Sequence, residues 1–134
     1  MRILFVHQNF PAQFVHLAPA LAQRGHEVLA LTHDANARPS AVPRVVYRFE
    51  PSKPTPMGLT AAFDLHAIRG AAVARAAEVL RDSKGYVPDV IFGHVGWGES
   101  MYLKEIWPTA RLLAYAEFYW RSRGLYYDFD PTVY

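Results

Sequence analysis

The chain has 134 residues, of which 51% are hydrophobic, 19% are charged and none is cysteine. That length suits about one domain with a buried core, and the composition excludes a disordered chain, a disulfide scaffold and thiol chemistry. The formal charge is +2, with 6 basic and 4 acidic side chains in residues 1–67 and 8 of each in residues 68–134. This is no basic stripe, so nucleic acid is not expected as a partner. No apolar run reaches the ~18 residues of a membrane-spanning helix, and MRILFVHQNF has no small-residue cleavage site behind it. A cytoplasmic globular domain is expected, and a location peripheral to a membrane is compatible with it.

Arg2–His7 (RILFVH) reads as a strand buried on both faces, followed at once by turn chemistry. From Asn9 the pattern turns helical, with Asn9 as cap, Phe14, Leu17 and Leu21 on one face and Gly25 as the stop. Pro19 should kink or divide this helix, because it removes a backbone donor. His16 lies on it as a structural histidine. His26–His33 is the second strand, and two strands joined by one helix form a parallel βαβ unit.

Five of the ten prolines fall between Pro39 and Pro56, and between them Arg44–Glu50 alternates as a third strand. Leu59 to about Ser83 is helical, with Leu65, Ile68, Ala72, Ala76 and Val79 as its buried stripe. Val90–His94 is the fourth strand, a short helix spans about Ser100–Ile106, and Arg111–Ala116 is the fifth strand. The alternation defines an α/β protein with an open, doubly wound parallel sheet, a single domain over residues 1–134. The tail carries Phe118, Tyr119, Trp120, Tyr126, Tyr127, Phe129 and Tyr134. So much apolar surface suggests a piece of a larger protein, or self-association through the aromatic tail.

In such a sheet the ligand sits outside the carboxyl ends of the strands, at the switch in strand order. His7, His33 and His94 are three of the six histidines, and all three fall at strand ends. The first loop, HQNFPAQ, has no glycine, so a dinucleotide fingerprint is absent. No P-loop occurs, and no histidine pair has the spacing of a helical metal site, so no metal is expected. His94 is the best candidate for acid–base or electrostatic work, with Glu99 and Glu117 near it in topology. The glycines of Gly93-x-x-Gly96-x-Gly98 allow backbone donors to approach a ligand.

MRILFVHQNFPAQFVHLAPALAQRGHEVLALT resembles the opening of family 4 glycosyltransferases, which are retaining, nucleotide-sugar-dependent enzymes with two Rossmann-like domains (the GT-B architecture). DVIFGHVGWGES is similar to their fourth-strand segment, and AYAEFYWRSRG with YYDFDP resembles one bacterial subgroup. The resemblance covers essentially the whole chain, as the amino-terminal, acceptor-side half of such an enzyme, with the carboxyl-terminal donor-binding domain absent. It implies a hexosyl or related transfer by the intact protein, and an incomplete, inactive unit when this chain stands alone. No cofactor is implied; a nucleotide-sugar donor serves as co-substrate, and a sugar acceptor is the other partner. Asn9, Phe10, Pro11, Ala12 and Gln13 would border the cleft, with Gly96, Trp97 and Glu117 binding substrate and His94 close to the transferred sugar. Many relatives have a Gly-Gly pair in the first loop, where Pro11-Ala12-Gln13 stands here. The alternative is a free-standing Rossmann-like binding or interaction module without catalysis.

Overall fold

A computed structural model describes residues 1–50, 58 and 60–117. Five strands, β1 (Arg2–Val6), β2 (Glu27–His33), β3 (Arg44–Tyr47), β4 (Val90–His94) and β5 (Arg111–Tyr115), form one all-parallel sheet in the order β3-β2-β1-β4-β5. Strand residues alternate between two cores, as a sheet covered on both faces requires. Leu4, Val6, Leu31 and Ile91 face α2 (Ala61–Lys84) and α3 (Leu103–Ile106), where Trp107 is buried and donates its indole N–H to the Tyr86 carbonyl at 3.0 Å. Ile3, Phe5, Val28 and Ala30 face α1 (Leu17–Gln23) and the loop before it, packing on Phe10, Phe14 and Ala18.

The expected architecture is present, with shorter elements. The third strand ends at Tyr47 rather than Glu50. The helix expected from Asn9 is instead a 3-10 turn, Ala12–Phe14, followed by α1. Pro19 is the third residue of α1, where a backbone N–H has no intrahelical acceptor, so the division removes the cost of the proline. The division also changes the helical phase: Ala18 is buried, while His16 and Leu17 are exposed. His16 therefore has no packing role.

The buried stripe of α2 is rotated from the expected one. Ala72 is buried as expected, but it is joined by Arg69, Gly70, Val73, Ala77 and Leu80, while Leu65, Ile68 and Ala76 are only partly buried and Val79 is 61% exposed. The helix is rich in alanine, so its hydropathy contrast is weak, and close approach of small residues decides which face packs. A Cβ on Gly70 would lie 2.7 Å from the Gly98 carbonyl oxygen. Gly85 then ends the helix in the left-handed conformation, φ +59°, with its N–H returning to the Leu80 carbonyl. Among the described residues no helix is long and apolar enough to cross a membrane. The aromatic tail from Phe118, with the self-association expected of it, lies outside the described residues.

Candidate functional site

The strand order reverses between β1 and β4, where His7 directly follows β1 and His94 ends β4. His7 and His94 are both buried, with ring centroids 5.3 Å apart and planes nearly perpendicular. A shared backbone device fixes the strand-end histidines. Nδ1 of His7 accepts the N–H of Asn9 at 2.9 Å, Nδ1 of His33 that of Ala35 at 3.1 Å, and Nδ1 of His94 that of Gly96 at 3.0 Å. An Nδ1 that accepts leaves the proton of a neutral ring on Nε2, so each imidazole presents Nε2–H as a donor. Burial, reinforced by neighbouring His94, pulls the His7 pKa down to about 4, which keeps that ring neutral.

His94 points Nε2 at Glu117 Oε2, 3.2 Å away. The other Glu117 oxygen accepts from the Gln13 side chain at 3.3 Å, which ties the first loop to the end of β5. Glu117 keeps 38% of its side chain exposed while His94 keeps 4%, so a reachable carboxylate is backed by a fixed imidazole. Trp97 is 40% exposed, and its ring lies nearly parallel to that of His94 at 6.2 Å. Gly96 packs so close that an added Cβ would lie 3.0 Å from the His94 ring.

Glu99 takes a different part from the one expected. It is fully buried and accepts the Tyr47 hydroxyl at 2.7 Å, so it secures the loop after β4 to β3 rather than joining His94. Burial pushes its carboxyl pKa up, against the opposing pull of the Tyr47 hydrogen bond and the Arg69 charge. Arg69 holds the same loop by donating to the Trp97 carbonyl at 2.8 Å. Gly98 completes the clamp at φ +86°, where a Cβ would sit 2.3 Å from the His66 carbonyl oxygen.

The first-loop residues divide. Asn9 and Gln13 are exposed at the strand ends, and Pro11 and Ala12 are half-buried, with Ala12 at φ +40°. The Phe10 side chain is withdrawn into the core against Phe5, and its backbone works locally, the N–H donating to the His7 carbonyl at 3.1 Å and the carbonyl accepting from Asn36 at 2.7 Å. His94, Glu117, Gln13, Gly96 and Trp97 come together. Beside them, on the β2–β3 side of the first loop, lies a cavity of about 310 Å³ lined by Gln8, Asn9, His33, Ala35, Asn36, Phe49 and Arg69. Arg69 was missed by sequence reasoning; its only signal was an arginine at helical spacing with Val73, Ala77 and Leu80. Among the described residues no group of three metal-ligating side chains forms.

A doubly wound parallel sheet with its polar residues gathered at the switch point defines a Rossmann-like domain, a fold whose ligand crevice lies at the strand ends. The chain belongs to the Glycosyl transferase family 4 group, whose profile matches residues 24–134. Its fold is similar to the crystal structure of the Streptomyces sp. SF2575 glycosyltransferase SsfS6, with a TM-score of 0.59 and 16% identity over 85% of this chain and 38% of that one. The same figures hold for SsfS6 complexed with thymidine diphosphate. The calicheamicin glycosyltransferase CalG4 gives a TM-score of 0.61 and 22% identity over 84% of this chain and 31% of that one. At these identities the likeness is one of fold, and this chain spans about a third of the length of either protein. No curated protein matches the chain.

Proposed function

We propose that the chain is the acceptor-side domain of a retaining, nucleotide-sugar-dependent glycosyltransferase that moves a hexosyl or related group. A carboxyl-terminal domain of the complete protein would hold most of the donor. The observation that carries this reading is the His94–Glu117 pair at the switch point, in a chain of a glycosyltransferase family. Glu117 is exposed enough to accept a hydrogen bond from an acceptor hydroxyl and orient it. Nε2–H of His94, released from Glu117 by that substrate, becomes a donor to an oxygen of the transferred sugar. Trp97 offers a flat apolar face beside both. Closure of the donor half over this edge would exclude water, and charge on the leaving diphosphate would be met mainly by groups of that second domain. The thymidine diphosphate bound by SsfS6 is consistent with a nucleotide-linked donor.

The test is calorimetry with nucleotide sugars on the 134-residue chain and on the complete protein, with transfer measured on both. The complete protein should bind and transfer. The chain alone should bind weakly and transfer nothing. Micromolar donor binding or turnover by the chain alone would overturn the division of labour.

A further inference from the structure

Arg69 is over nine-tenths buried, with 7% of its surface exposed, and it lines the 310 Å³ cavity. The inward face of α2 carries it over the carboxyl edge of the sheet, where its guanidinium lies 4.7 Å above the centre of the Phe49 ring. One terminal nitrogen donates to the Trp97 carbonyl. Among the described residues the buried Nε has no hydrogen-bond partner, and the remaining nitrogen has none either. Of the seven lining residues Arg69 alone carries a formal charge.

The other polar groups of the lining are mostly committed. His33 uses both ring nitrogens, on the Ala35 N–H and the Phe49 carbonyl. The Asn36 amide donates to the Phe10 carbonyl and Thr32 Oγ1 and accepts from the Arg38 N–H. Among the described residues the Gln8 and Asn9 side-chain amides remain without hydrogen bonds. Glu99, the buried acid of this region, is turned to Tyr47 and makes no ion pair with Arg69. Glu99 feels the guanidinium charge but accepts no hydrogen bond from it, so among the described residues the buried Arg69 Nε is left without an acceptor. A buried cation without a carboxylate partner is costly, and a bound oxyanion on its free N–H groups offsets that cost.

We propose that this cavity binds an anionic group, a carboxylate or a phosphate, on Arg69, with the Gln8 and Asn9 amides completing its shell. The further assignment rests on the glycosyltransferase reading: the anionic group belongs to the acceptor. The first loop separates this cavity from His94 and Glu117. An acceptor anchored on Arg69 would therefore lie across Asn9 and present a hydroxyl to Glu117.

The test is a titration of the isotope-labelled chain with inorganic phosphate and, separately, with acetate, at constant ionic strength, read by NMR at Arg69 Nε–H and the Asn9 and Ala35 amides. Saturable shifts at these groups are expected, and the tighter of the two probes identifies the anion. Arg69→Gln should weaken binding at least ~10-fold, the scale of losing one charge-assisted hydrogen bond. Because Arg69 also holds the Trp97 carbonyl, Asn9→Ala serves as a second variant with no structural duty for its side chain, and a several-fold loss is expected. Non-saturating shifts, or unchanged affinity in a folded Arg69→Gln chain, would overturn the proposal. If Arg69→Gln does not fold, unchanged affinity in Asn9→Ala and Gln8→Ala does so. Binding here needs no donor and no transfer, so the two readings fail separately. Absent anion binding beside a working transferase removes this proposal alone, and saturable binding beside a protein that transfers no sugar removes the other.

Discussion

Tyr47 donates its hydroxyl hydrogen to Glu99 at 2.7 Å, joining the last residue of β3 to the loop that follows β4 across 52 residues of sequence. The bond lies in the core, and among the described residues the second Glu99 oxygen has no hydrogen-bond partner. Removing the hydroxyl in Tyr47→Phe leaves the buried carboxyl without its donor. A loss of about 1–3 kcal/mol is expected in chemical denaturation.

Glu99→Gln should behave differently. A carboxyl whose folded pKa is raised binds a proton more tightly folded than unfolded, so it subtracts stability as pH rises through the ordinary carboxylate range. The amide keeps an oxygen for Tyr47 and carries no charge. Denaturation at pH 7 should show Glu99→Gln at least as stable as the parent, with the advantage shrinking toward pH 4. A variant less stable than the parent at pH 7 would contradict this account of the buried acid.

His7 gives a pH dependence of the opposite sense. Its folded pKa of about 4 lies below the ordinary 6.5, so between these values the unfolded chain holds the proton and the folded one does not. Stability should be full above pH 6.5 and fall as pH drops toward 4, by about 3 kcal/mol from this group. Melting curves of the parent and of His7→Gln across that window isolate the contribution. The variant's curve should be flatter.

His94→Ala in the complete protein should lower kcat/KM by about 10²-fold, a common loss for one positioned polar or acid–base group. Glu117→Gln should also lower turnover, because the amide orients a hydroxyl poorly and can no longer anchor the imidazole by charge. Melts must accompany the kinetics, since a destabilised variant imitates a catalytic defect. Near-normal turnover with a lowered melting point would make His94 structural. His16→Ala should change neither quantity, because His16 is exposed.

Gly98→Ala should be among the most damaging small substitutions in the chain. The φ of +86° disfavours any side chain, and the new Cβ would meet the His66 backbone at 2.3 Å. A loss of more than about 3 kcal/mol is expected, with displacement of the loop that carries Trp97. An unchanged melting point would mean that α2 and this loop can separate freely.

Arg2–Val6, Glu27–His33 and Val90–His94 were legible because continuous apolar runs between turn residues have one stable use, a strand covered on both faces. The site was legible in outline, since strand ends point to the crevice and three of them end in histidine. Three features were illegible for separate reasons. The face of α2 depended on glycine and alanine packing, which hydropathy does not register. The fate of Phe10 depended on the first loop folding as a 3-10 turn that buries the ring. The destination of Glu99 depended on β3 lying across the sheet, which only the strand order fixes.

Local pattern by itself determined the strands, the parallel connection and the polar strand ends, because each follows from periodicity and turn chemistry within a few residues. The tertiary structure alone decided that His7 meets His94, that Glu117 rather than Glu99 reaches it, and that Arg69 comes to rest beside a cavity with its buried Nε lacking a hydrogen bond among the described residues. These pairings join residues tens of positions apart, and side-chain direction, close approach and desolvation act only once the sheet has brought them together.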